Sequence, residues 1–207
     1  MPGIDAENIA RFKKNAAAAA VTVVETKTLR QAVAYALDLC AKKPPREPLP
    51  TEPLHPAESP SRREEGTERI LAAPGLDAKN AALLDTLGAR RDLRILRKGL
   101  RAYPAGIDLG LVLAEAGIAE SATCLVDATD EDVRLATMLC EISVLILKKS
   151  AVAATPHDCA SFLTERLDRD AAYLACISGP SKTSDIERVL ATGVHGPLEL
   201  HVALVEG

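Results

Sequence analysis

Short runs rich in Val, Ile and Leu recur along the chain, and between them lie stretches with helical spacing of apolar residues. Residues 20–26, 122–127, 142–147, 173–177 and 199–205 read as strands by their branched and apolar content. Thr28, with Gln31 three residues on, opens a helix through a capping box, and Leu29, Val33, Ala36, Leu37 and Cys40 form its apolar stripe. Asp77 caps a helix that stops at Gly88, and Thr129 caps another whose first turn holds Asp130, Glu131 and Asp132. Thr155 and Pro156 start a further helix, and residues 183–192 complete the series, ending at Gly193. Strands separated by helices need crossover connections, which place parallel strands side by side. The expected fold class is α/β, a mostly parallel sheet flanked by helices, in one domain spanning residues 1–207.

Composition limits what fills that core. Hydrophobic residues make up 47% of the 207, but 35 are alanine and only five are aromatic. Small side chains with Leu, Ile and Val must therefore do the packing. A net charge of -4 argues against a broad nucleic-acid surface, which needs clustered positive charge. No apolar run reaches the roughly 20 residues that cross a bilayer; residues 109–119 come closest, and Glu115 interrupts them. Near the N-terminus, Arg11, Lys13 and Lys14 precede an apolar run over residues 16–24, but Asp5 and Glu7 sit where a leader would be positive. A helix leading into a first strand is the better reading. The five cysteines, 40, 124, 140, 159 and 176, form no C-x-x-C pair, so no zinc or iron–sulfur site is expected in this chain. Odd in number and mostly in apolar contexts, they suit a reducing, cytoplasmic setting.

One segment breaks the alternation. Seven of the 13 prolines fall in residues 44–60, followed by a mixed-charge run over 62–69. Such composition favours extended, unpaired backbone. The expectation is a Pro-rich mobile arm over residues 44–69, either a plain surface arm or one that covers a site or a partner.

The richest stretch for chemistry is residues 177–207, ISGPSKTSDIERVLATGVHGPLELHVALVEG. Gly179 and Pro180 set a tight turn, and Ser178, Ser181, Thr183 and Ser184 crowd hydroxyls around the expected start of the 183–192 helix. Free amide donors at a helix start, with Lys182 beside them, suit an anion. Asp185 and Glu187 in the same turn place negative charge against that reading. Hydroxyl and carboxylate side chains also cap helices with no ligand at all.

The same residues carry a family resemblance. GPSKTSDIE followed by GVHGPLELHVALVE resembles the C-terminal signature of the LUD domain, the lactate-utilisation family, in its stand-alone C-type form. AGIAESATCLVD, residues 116–127, resembles a strand motif of that family. The resemblance covers about the second half of the chain and is faint before Gly106. It implies the fold shared by sugar-phosphate isomerases and coenzyme A transferases. It also implies an accessory role in an iron–sulfur L-lactate-oxidising system, with the clusters in partner subunits and no cofactor bound by this chain. A small carboxylate or phosphate ligand and a homo-oligomer complete the partners considered. Three positions depart from the family pattern: Ala122 where glycine is usual, Cys140 for proline, and Ser143 for histidine. Histidine chemistry at that last position is closed to this chain.

The candidate binding residues are Ser178, Gly179, Ser181, Lys182 and Thr183. Glu120 and His195, which match the family's Ala-Glu and Val-His-Gly-Pro, are the candidate catalytic groups. A carboxylate at Glu120 is either a nucleophile, as in coenzyme A transferases, or an anchor for a neighbouring donor. His195 is either an acid–base group or a lock on its turn. All seven are expected at one cleft on the carboxyl edge of the sheet. A helix over 183–192 would, however, carry His195 to the opposite edge. No metal set emerges. The competing reading is a stand-alone enzyme of the isomerase or transferase class acting on an acyl or phosphosugar substrate.

Overall fold

The computed structural model describes residues 5–44, 69–103, 106–168, 171–183, 191–193 and 195–206. Helix α1 (Ala6–Ala18) is capped by the Asp5 carboxylate and runs into strand β1 (Val21–Thr26). Helix α2 (Leu29–Lys42) follows, with Thr28 Oγ1 accepting from the Gln31 amide at 3.3 Å. The Gln31 side chain accepts from Lys27 N at 2.8 Å, one residue earlier than a standard box. The chain then gives β2 (Arg69–Ala72), α3 (Ala78–Gly88), β3 (Leu93–Leu96), β4 (Ile107–Ala114), β5 (Ala116–Ile118) and β6 (Thr123–Asp127). Next come α4 (Glu131–Met138), β7 (Cys140–Lys148), β8 (Val152–Ala153), α5 (Ala160–Leu167) and β9 (Leu174–Ile177). Two short strands, β10 (Lys182–Thr183) and β11 (Ala191–Thr192), precede β12 (Glu199–Val205).

Six strands form one sheet in the order β1-β12-β7-β4-β2-β3, and every pairing in it is parallel. Both faces of such a sheet must be covered, and two apolar layers do so. On one face α2 buries Ala32, Val33, Ala36, Leu37 and Cys40 against Leu109, Val144, Ile146 and Ala203, with Leu84 of α3 beside them. On the other face Phe12 and Ala16 of α1, and Val133 and Ala136 of α4, pack on Val112, Leu145, Val202 and Leu204. The small-residue core anticipated from composition is visible here, since alanines at 16, 32, 36, 136 and 203 are all fully buried.

Two central strands continue out of the large sheet. β4 passes into β5, and β7 passes through a 3-10 turn into β8. With β6 and β9 these make a four-stranded mixed sheet, β8-β5-β6-β9. Its inner face joins the α1 layer through Cys124 and Val126, while its outer face buries Ile118 and Leu125 under α5.

Two expectations need correction, and a third falls outside the described residues. The helix expected over 183–192 does not begin at Thr183 or end at Thr192. Lys182 and Thr183 pair antiparallel with Thr192 and Ala191, and the residues between lie outside the described set. The α4 cap is Asp130, whose carboxylate accepts from Asp132 N; Thr129 instead accepts from Tyr173 N at 3.1 Å. The body of the Pro-rich arm lies outside the described residues, but its two ends meet, since Arg69 Nε donates to the Lys43 carbonyl at 2.6 Å.

Candidate functional site

A cleft of about 400 Å³ opens at the amino ends of β7 and β12. Thr137 and Met138, just before β7, and His195, Gly196 and Pro197, just before β12, form part of its wall. Ser143 of β7 and Leu200 of β12 lie along it, and residues 173–179, running through β9, close the far side. The expected place was the carboxyl edge of the parallel sheet. Ser178 does follow the carboxyl end of β9, but β9 belongs to the smaller sheet, and the large sheet presents its amino edge.

Two turns are zipped together at this point. Ser181 N donates to the Pro197 carbonyl and Gly193 N donates to the Ser181 carbonyl, each at 2.9 Å. Gly193 has φ +76°, and a Cβ there would strike Leu198, so the turn requires glycine. This pairing decides where His195 goes. It stays beside the Gly-Pro-Ser turn instead of being carried to the far edge of the sheet.

Of the seven candidates, Ser178, Gly179, Ser181 and His195 line the cleft together. Ser178 Oγ shares a 2.7 Å hydrogen bond with Thr123 Oγ1, which shares another of 2.7 Å with Ser121 Oγ. The hydroxyl chain thus runs from the cleft toward Glu120 and stops one residue short of it. Glu120 itself faces Arg11 of α1 at 3.4 Å, half exposed at the surface, and does not line the cleft. Lys182 is exposed and donates to the Ala19 carbonyl at 3.3 Å, which turns its charge toward the end of α1. Thr183 lies in β10, outside the lining.

Residues not singled out as site candidates take their places. Arg134 lines the cleft from α4; its Nη1 donates to the carbonyls of Ala128 and Thr129 at 2.6 and 2.9 Å. Its guanidinium carbon stands 5.2 Å from the centre of the Tyr173 ring, a cation–π arrangement. No Asp or Glu lines the cleft among the described residues, so Arg134 supplies its formal charge. Ser143 is 1% exposed, and its Oγ has no hydrogen-bond partner among the described residues. The sequence marked Ser143 only as a departure from the family pattern. A hydroxyl inside a run of buried branched residues was the available signal.

Elsewhere the polar groups serve the scaffold. His201 is buried, with Nδ1 2.8 Å from Tyr35 Oη and Nε2 3.0 Å from Glu199 Oε2, so it is a packed residue of β12. Burial pushes the thiols of Cys40 and Cys124 up to about 12, which keeps them protonated. Among the described residues no group of three or more His, Cys, Asp or Glu side chains is arranged to hold a metal ion. No helix among them is long and apolar enough to cross a membrane.

The LUD domain family model matches residues 9–205. The chain belongs to the LUD domain family. That match reaches well before Gly106, where the resemblance in the sequence had become faint. Lactate utilization protein C of Geobacillus thermodenitrificans is 32% identical over 95 residues, which is 44% of this chain and 40% of that protein. The protein of the same name from an Exiguobacterium species is 36% identical over 102 residues, 47% of this chain and 44% of its own length. These alignments therefore span less than half of the relatives they match. The crystal structure of a DUF162 family protein from Deinococcus radiodurans superposes with a TM-score of 0.57 at 17% identity, covering 97% of each chain. That likeness shows the shared fold. Ala122, one of the three positions read above as departures from the family pattern, has φ +53°, a left-handed backbone that favours glycine.

Proposed function

We propose that this LUD-domain chain serves a lactate-utilisation system as an accessory subunit that binds a small-molecule anion in the β7–β12 cleft. Its partners in this reading are subunits that carry iron–sulfur clusters and oxidise L-lactate to pyruvate. The relatives named for lactate utilization support the system, and the cleft supports the binding role. The observation that carries the reading is the lining: one arginine, several hydroxyls and a histidine, with no carboxylate among the described residues.

The competing reading, a stand-alone isomerase-like or coenzyme A transferase-like enzyme, needs a nucleophile or an acid–base pair in the cleft. Glu120, its best nucleophile, is occupied with Arg11 at the surface. His195 alone remains, and the hydroxyls near it lack a carboxylate partner to orient a base. An accessory role fits this set better.

Affinity purification of the tagged chain from its native host tests the proposal. Co-purification of iron–sulfur subunits, with L-lactate oxidation lost on deletion and restored by the intact gene, is the expected result. Undiminished lactate oxidation in the deletion strain overturns it.

A further inference from the structure

The cleft is far larger than lactate requires. At about 400 Å³ it falls within the range of pockets that enclose ligands of cofactor or drug size, whereas lactate would leave most of it to water. Its wall also combines two kinds of surface. Ser143, Ser178, Ser181 and Arg134 supply donors. Tyr173 and Met138, 53% and 54% exposed, supply large apolar surface that the fold does not cover.

Ser143 makes the strongest demand. A buried hydroxyl without a partner is costly, and native structures rarely keep one unless something else satisfies it. Nε and Nη2 of Arg134 make no hydrogen bond to the described residues, since both of its bonds use Nη1. A guanidinium edge of that kind matches the oxygens of a carboxylate or phosphate. The Tyr173 ring, with Arg134 over it and more than half of the side chain open, offers a stacking surface.

Building on the reading of this cleft as a ligand site, we infer that its ligand is an organic acid much larger than lactate. An anionic head, carboxylate or phosphate, meets Arg134 and Ser143, and a planar or apolar body lies along Tyr173 and Met138. Neither Arg134 nor Ser143 belongs to the Gly-Pro-Ser turn, so recognition of the head falls to α4 and β7.

Calorimetric titration of the full chain with L-lactate, 3-phenyllactate, adenosine monophosphate and uncharged adenosine tests this. At least one of the two larger acids should bind about tenfold or more tightly than L-lactate, and adenosine should bind more weakly than its monophosphate. Phenyllactate against the monophosphate tells a carboxylate head from a phosphate. Ser143→Ala should weaken the bound acid by about fivefold while the fold is retained, because no internal hydrogen bond is lost. Arg134→Gln should weaken it further. Tighter or equal binding of L-lactate overturns the inference, as does absence of binding by both larger acids at millimolar concentration. An acid that binds Ser143→Ala and wild type equally also overturns it. Lactate oxidation that depends on the chain, with no binding of either larger acid, would overturn this ligand class and leave the proposed role standing. Binding of a larger acid by a chain dispensable for lactate oxidation would do the reverse.

Discussion

Among the described residues, two alanines hold backbone conformations that suit glycine. Ala20, just past the end of α1, has φ +63° and is exposed, the left-handed position that commonly closes a helix. A Cβ there strains against the following carbonyl, so Ala20→Gly should raise stability by about 0.5–1 kcal/mol in urea denaturation. Ala122 has the same backbone but a buried methyl group, so relief of strain and loss of packing oppose each other there. Ser143 supplies a sharper contrast. Its unpaired Oγ is a cost to the ligand-free fold, so Ser143→Ala should raise the urea midpoint by an amount equivalent to about 1 kcal/mol, even as it weakens the ligand. A midpoint that falls instead would show that the hydroxyl is already satisfied.

Among the elements, those with a clean period were legible in the sequence. β12 matches its expected bounds, and α2 buries four of the five stripe residues, because branched runs and capped amphipathic helices leave few alternatives. β4 was missed as a strand because residues 109–119 read as one apolar run. In the fold that run is β4 and β5, with Glu115 at the bend making a partly buried pair with Arg166. The hairpin of β10 and β11 was hidden for a different reason. A serine- and threonine-rich start followed by helix-forming residues matches a cap, and nothing local reveals that the Ser181 and Pro197 backbones bond each other. That long-range pairing is also why His195 joins the turn and why Lys182 does not join the cleft. At the carboxyl end of β1, Glu25 is held down to about 2 by hydrogen bonds from Lys13 and Lys149. A carboxylate depressed in the folded state stabilises it above the unfolded value of 4.5, and that contribution disappears as pH falls toward about 2. Glu25→Gln should therefore flatten the stability profile across that acid window. The difference should shrink in high salt, since the pair is partly exposed.

At the scale of the whole molecule, the amino edge of the large sheet carries both the cleft and the charged cluster that holds this edge together. Lys43, at the end of α2, reaches Glu141 of β7 at 2.7 Å and Asp108 of β4 at 3.5 Å. Asp108 is 1% exposed and accepts from the Ile70 amide of β2 at 2.6 Å. The Glu141 carbonyl accepts from Leu198 N at 2.8 Å, which ties β7 to the turn bearing His195. One buried carboxylate thus links α2, β2 and β4, and through Lys43 and Glu141 it reaches the wall of the cleft. Asp108→Ala removes an acceptor from a buried amide and a partner from a buried ammonium, and should cost about 3–5 kcal/mol in urea denaturation. Asp108→Asn can still accept from Ile70 N but loses the charge facing Lys43, so its cost should be smaller, and the difference between the two variants measures the amide bond. The cleft should respond to the same change. If this edge is one mechanical unit, Asp108→Asn weakens binding of the acid that fills the cleft, although Asp108 does not line it. Unchanged affinity in a destabilised Asp108→Asn protein would show that the two faces of the sheet act independently.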